Sequence, residues 1–159
     1  MSYKEIRADL FSMPEEYFLA HCISADLGMG KGIVVEFNKR FDMKNKLVRK
    51  YGNRLDEWDK NDCGECILED RVFNLITKRN YWNKPTYDTL ISALKDMRYQ
   101  AINNNIEHIA MPMIGCGLDR LNWIRVSYII QKIFSETDIE IVVCMNAKNY
   151  KMFAHREKE

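Results

Sequence analysis

The chain has 159 residues, 47% of them hydrophobic and 30% charged, with a formal net charge of +1. That length supports one domain with its own core and is short for two. The near-neutral charge excludes a general pull toward nucleic acid or membrane. No apolar run approaches bilayer-spanning length and the N-terminus lacks a secretory layout, so an intracellular protein is expected, without membrane contact.

In chain order, residues 3–10 alternate Ile6, Ala8 and Leu10 with polar neighbours and predict a strand ending at Asp9-Leu10. The run YFLAHCIS, residues 17–24, predicts a buried central strand. GMGKG follows at residues 28–32, and IVVEFNKRF and KNKLVRKY behind it carry helical spacing. A polar stretch, roughly residues 52–64, leads to two short strands, about 65–68 and 71–77, joined as a hairpin through Glu69-Asp70. Thr86 reads as the N-cap of a long helix with Tyr87, Leu90, Ile91, Leu94, Met97, Ala101 and Ile102 on its core face. A strand to Met111, a helix from about Asn122 that buries Val126, Ile129, Ile130 and Ile133, and a last strand near 139–145 complete the pattern. The expected layout is one domain over residues 1–147 and a polar tail over 148–159. Alternating strands and helices with one hairpin predict an α/β domain, three-layered, with a mixed sheet.

Two loops carry the chemical signal. Both are Gly-rich, and both leave a buried strand for a helix, the arrangement that brings backbone N–H groups close to an anion. Neither has P-loop or dinucleotide-fold spacing. The five cysteines, an odd number, read as reduced thiols. Cys63-Gly-Glu-Cys66 has no second ligand pair to complete a zinc site, so neither metal nor cofactor is expected. Cys116 has no adjacent histidine and reads as a small turn residue. His21 lies on a buried strand, where a hydrogen-bonded core role is the ordinary one. The basic residues Lys39, Arg40, Lys44, Lys46, Arg49, Lys50 and Arg54 read as a solvated helix face that could also meet phosphates. Tyr81 and Trp82 read as either a stacking pair or a lid.

The segments ADLF, HCISADLGMGKGIVVEF, LITKRNYWNKPTYDTL and MPMIGCGLDRLNWIRVSYIIQKIFSETDIEI, in order over most of residues 3–146, resemble the macrodomains, and within them the terminal ADP-ribose protein glycohydrolase branch. The resemblance implies a three-layer α/β/α sandwich and ADP-ribose as ligand. It puts Asp9 and Leu10 at the adenine, with Cys144 and Asn146 nearby. It puts Ser24, Gly30, Lys31 and Gly32 at the distal ribose, and Met113, Ile114, Gly115, Cys116, Gly117 and Leu118 around the diphosphate and distal ribose. Lys78, in LITK, matches the family's nucleophile and Asp119, in GCGLD, its acid-base residue. The implied activity removes mono-ADP-ribose from acidic side chains of modified proteins, with nucleic acid as a second acceptor class, through a covalent lysine intermediate in a monomeric enzyme. The stretch His21 to Asp26 departs from the Asn-rich version found in water-attack macrodomains, which favours the lysine route. Two rivals stay open: a phosphatase acting on ADP-ribose 1″-phosphate, recruiting His21, and a reader that binds ADP-ribose without turnover.

Overall fold

A computed structural model of the chain describes residues 1–55, 64–117, 120–154 and 156. The strands are β1 (Ser2–Arg7), β2 (Phe18–Ser24), β3 (Cys66–Glu69), β4 (Val72–Lys78), β5 (His108–Met111) and β6 (Glu140–Met145). The helices are α1 (Val34–Phe41), α2 (Met43–Leu55), α3 (Tyr87–Asn103), α4 (Trp123–Phe134) and α5 (Ala147–Phe153). The sheet runs β1-β6-β5-β2-β4-β3, parallel throughout except for the antiparallel β3–β4 hairpin at its edge. Among the described residues, no helix is long and apolar enough to cross a membrane.

The two-residue period of a strand sorts the core onto both faces of the sheet. Ala20, Phe73, Leu75, Ile109, Ile141 and Val143 point to the face covered by α3 and α4, and Leu19, Ile23, Val72, Ile76, Ala110 and Val142 to the face covered by α1 and α2. Strands buried on both sides need helices on both sides, hence the three-layer α/β/α sandwich. Local chemistry starts α3 and α4. Thr86 Oγ1 accepts from Thr89 N, Thr89 Oγ1 accepts in return from Thr86 N, both at 3.1 Å, and Asn122 Oδ1 accepts from Arg125 N at 3.2 Å.

Five expectations need correction. The first strand stops at Arg7, because Asp9 caps a 3-10 turn over Leu10–Ser12 and accepts from Phe11 N. The second helix runs to Leu55, into the stretch read as a polar connection. Ile102 is 50% exposed, since it follows buried Ala101 by one position and so points about 100° away around the helix. Ile91, Ile129 and Ile133 are half-buried at the margins of their helices. The first half of the expected polar tail, residues 148–153, belongs to α5, with Tyr150 and Phe153 packed against the core. Cys63 lies outside the described residues. Cys66 is buried on β3, and that burial pushes its thiol pKa well up. Among the described residues no group of three or more His, Cys, Asp or Glu is placed to hold a metal.

His21 shows what a fully enclosed titratable group costs. Its ring stacks on Phe37 at 3.8 Å, and its Nε2 meets Asn74 Oδ1 at 2.6 Å. Asn74 Nδ2 donates to the carbonyls of Ile67 and Val72, so its oxygen faces the ring and Nε2 carries the proton, leaving buried Nδ1 unpartnered. Burial drives the His21 pKa from 6.5 down to about 4. Between those values the unfolded chain binds a proton that the folded chain refuses, so stability falls as the pH drops through that window. The loss is expected to reach about 3 kcal/mol by pH 4. Denaturant titrations at pH 7 and pH 4 test this: a His21→Gln variant, which keeps an N–H for Asn74, should lose this part of the pH dependence, and an unchanged slope refutes the assignment.

Candidate functional site

Because β1, β6, β5, β2 and β4 are parallel, their carboxyl ends emerge along one edge of the sheet, the usual place for a ligand in an α/β fold. A cleft of about 1590 Å³ lies there. Its floor includes Ser24 at the end of β2, Lys78 at the end of β4, and Cys144 and Met145 of β6. Its walls are the loop Gly28–Val34, the loop Pro112–Gly117 with Arg120 and Leu121, the rim Tyr81–Lys84, and the cleft-facing residues Asn146, Asn149, Met152 and Phe153.

The structure brings together most of the residues singled out in the sequence. Ser24, Gly30, Lys31, Gly32, Lys78, Met113, Ile114, Gly115, Cys116, Gly117 and Asn146 all line this cleft. Leu118 and Asp119 lie outside the described residues. Asp9 and Leu10 are not among the lining residues: Leu10 is only 4% exposed in the core, and exposed Asp9 accepts from Phe11 N through Oδ1 at 3.0 Å. Asp9 nevertheless stands near Cys144, whose thiol pKa is pushed up to about 11 by burial first and by the Asp9 charge second. His21 is absent from the lining and wholly buried, which removes the imidazole that the phosphatase reading recruits.

Both Gly-rich loops are shaped around their backbones. Gly115 has φ +73, and a Cβ there would stand 2.9 Å from Leu121 Cδ1. Leu121 N returns to Gly115 O at 2.7 Å and closes the loop, so a side chain at 115 opposes the closure twice. Gly28 packs under Tyr81, where an added Cβ would come within 2.7 Å of Tyr81 Cβ. At Gly30 and Gly117 an added Cβ meets nothing within 4 Å, so open space borders those backbones.

The hydrogen bonds inside these loops use the N–H groups of Gly28, Met29, Ile114 and Cys116. Among the described residues, the N–H groups of Gly30, Lys31, Gly32, Gly115 and Gly117 have no protein partner. Lys31, Lys44, Lys78, Lys84 and Arg120 also line the cleft, and no described lining residue is acidic. Donor groups and cations of this kind make an anion site. Chemically, the arrangement can hold a polyphosphate across two loops, which follow the adjacent strands β2 and β5, and present an amine from β4 on the other side of β2.

Asp26 was not singled out in the sequence. Its Oδ1 accepts from Ser24 Oγ at 2.6 Å and Gly28 N at 3.0 Å, and its Oδ2 from Tyr81 N at 3.1 Å. With Ala25 N on Lys78 O at 2.9 Å and Asp26 N on Arg79 O at 3.0 Å, the β2 and β4 loops are tied together. The available signal was the Asp two residues before Gly28, an Asx-turn pattern. Tyr81 and Trp82 form an edge-to-face pair with ring centroids 5.0 Å apart, and they stand 60% and 66% exposed at the rim. Most of the basic cluster is paired elsewhere: Lys39 and Arg40 with Glu36, Lys46 with Asp70, Arg49 with Asp42, and Lys50 with Glu69. Among the described members, Lys44 lines the cleft.

No family model matches the chain. It is 39% identical over 142 residues to the ADP-ribose glycohydrolase OARD1 of Homo sapiens, a match covering 87% of this chain and 88% of that protein. In fold it is similar to the macrodomain of Thermus aquaticus DarG, with a TM-score of 0.77 at 23% identity over 89% of this chain and 97% of that one. Thermosipho africanus DarTG in complex with ADP-ribose gives a TM-score of 0.75 at 16% identity over 92% of this chain and 42% of that one.

Proposed function

The chain belongs to the ADP-ribose glycohydrolase branch of the macrodomain family, and from that premise we propose that its cleft binds ADP-ribose and that Lys78 and Asp119 release mono-ADP-ribose from modified acidic side chains. The observation that carries the reading is the set of unengaged N–H groups on two loops, with cations around them and Lys78 at the end of β4, the strand next to β2. The diphosphate lies on those N–H groups, and the distal ribose sits toward Ser24 and Lys78. The neutral Lys78 amine attacks the anomeric carbon, C1″. The Nζ–C1″ bond forms as the C1″–O bond to the acceptor breaks, and the acceptor leaves as a carboxylate. Asp119 takes the proton released from Nζ, returns it to Nζ as the Nζ–C1″ bond breaks, and as the carboxylate again accepts the proton of the water that adds to C1″; this frees the neutral amine and ADP-ribose, and the last proton passes to solvent. The enzyme works as a monomer.

The test is to trap the intermediate. Incubation with mono-ADP-ribosylated substrate under reducing conditions should leave one ADP-ribose-derived adduct on Lys78 by mass spectrometry. No adduct, together with full activity in Lys78→Ala, refutes the lysine route. Calorimetric binding without turnover supports the reader instead, and inorganic phosphate released from ADP-ribose 1″-phosphate supports the phosphatase.

A second acceptor class has an observation in its favour. The exposed rings of Tyr81 and Trp82 flank a cleft whose described lining carries cations and no carboxylate, which suits an unstacked base and its phosphates. Hydrolysis of glutamate-linked, serine-linked and nucleobase-linked ADP-ribose, compared side by side in wild-type and Trp82→Ala protein, separates the classes. A nucleic-acid acceptor predicts a loss of about 1–3 kcal/mol in kcat/KM confined to the nucleobase-linked substrate. An equal effect on all three removes the stacking role.

A further inference from the structure

Behind the cleft, one buried carboxylate gathers groups from separate elements. Glu5 on β1 has a side chain with no solvent exposure. It accepts from Tyr3 Oη at 2.6 Å and Trp123 Nε1 at 3.2 Å, and Arg156 closes on it with a two-point fork at 2.7 and 2.8 Å. Arg156 also donates to the Phe153 carbonyl at 2.7 Å, at the end of α5, and to Ser127 Oγ of α4 at 3.1 Å. Trp123 and Phe153 both line the cleft. The cluster therefore joins the start of α4 and the end of α5, two cleft walls, to the edge strand of the sheet.

Apolar packing would hold α5 against the sheet without prescribing its angle. A fork fixes both distance and angle, and a buried ion pair is a poor source of stability compared with apolar packing. What this cluster supplies is a single arrangement of the two walls. Nothing in the proposed chemistry uses these charges.

We propose that Arg156 is a positioning residue for ligand binding: anchored on Glu5, it sets the spacing between Trp123 and α5 and thereby the affinity of the cleft for its nucleotide ligand. This rests on the ADP-ribose reading above. Arg156 touches no reacting atom, so its effect belongs in binding rather than turnover.

Arg156→Met takes the guanidinium away from the buried Glu5 carboxylate, so the test adds the double variant Glu5→Gln, Arg156→Met, in which both charges of the fork are removed together. Calorimetry with ADP-ribose and steady-state hydrolysis of a mono-ADP-ribosylated peptide should show Kd and KM raised about tenfold in the double variant, with kcat within about twofold. Arg156→Lys should fall between wild type and the double variant. Loss of active molecules through unfolding gives the opposite pattern, a lower kcat at constant KM. Amide hydrogen exchange without ligand should quicken in α5 and the first turn of α4 and stay unchanged elsewhere. A folded double variant with wild-type Kd and KM overturns the proposal, and so does unchanged exchange in α5. Wild-type protein that binds no ADP-ribose overturns the proposed function instead, and the exchange measurement then still decides whether Arg156 holds α5.

Discussion

Replacing Lys78 with alanine is expected to lower kcat on glutamate-linked ADP-ribose on the order of 10⁴-fold or more, while the Kd for ADP-ribose stays within about threefold. Removing a nucleophile deletes the covalent route itself, and what survives is the contribution of binding and orientation. Affinity should persist because the proposed cradle is made of backbone N–H groups at Gly30, Lys31, Gly32, Gly115 and Gly117, none of which depends on the amine. Lys78 ends β4 with its carbonyl accepting from Ala25 N, and its neighbour Ser24 is tied to Asp26, so truncating the side chain leaves the backbone ties in place. Single-turnover kinetics and calorimetry on the same preparation test the two halves. A large loss of affinity assigns Lys78 to the cradle, and retained turnover removes it from the chemistry.

Asp119→Asn comes next in size. Asparagine keeps the shape and the hydrogen-bonding oxygen but cannot take a proton, so the expected loss is about 10²–10⁴-fold in kcat with KM nearly constant. Asp119→Gly should recover part of its rate when formate is added, because a free carboxylate can then occupy the vacated space and accept the proton. The two substitutions discriminate mechanisms. In the lysine route they are strongly non-additive, since both serve one step. Attack by water assisted by the substrate would leave Lys78→Ala active and Asp119→Asn inactive.

The legibility of this chain divides along the range of the interactions involved. The caps at Thr86 and Asn122 act over three residues, so a short window of sequence contains both partners. The hairpin was equally visible, because Glu69 pairs with Val72 across a two-residue turn in which Asp70 takes φ +53. The Gly-rich loops carried their own signal, since Gly115 answers a demand of its own backbone. The end of the first strand was misplaced for a local reason. Alternation continued past the end of β1, while the Asp9 side chain offered Phe11 N an acceptor that ended the strand. The ligand role given to Asp9 and Leu10 came from the resemblance, and the cleft lining does not include them.

His21 and the C-terminal segment show the other side. Composition could mark His21 as buried, but only the stacked Phe37 ring and the Asn74 carboxamide, 53 positions away, decide its tautomer and its depressed pKa. The final stretch looked polar because four of its last five residues are charged, the fifth from the end being His155. Arg156 belongs to that stretch, yet it ends on a carboxylate 151 positions upstream, and its charge reads as solvated until that partner is known.

By itself, the sequence determined the six strands, helices α1 to α4, the three-layer sandwich and the two loops fit for an anion, because hydrophobic period, capping and glycine demand are properties of neighbouring residues. Only the tertiary structure decided that Ser24, Lys78 and both loops share one cleft, that Asp26 ties two of its walls, and that the basic helix face is largely paired with carboxylates. Those facts depend on strand order and on contacts between residues far apart in the chain. Nothing in a local window encodes them, since the free energy that selects such contacts comes from closing the whole fold.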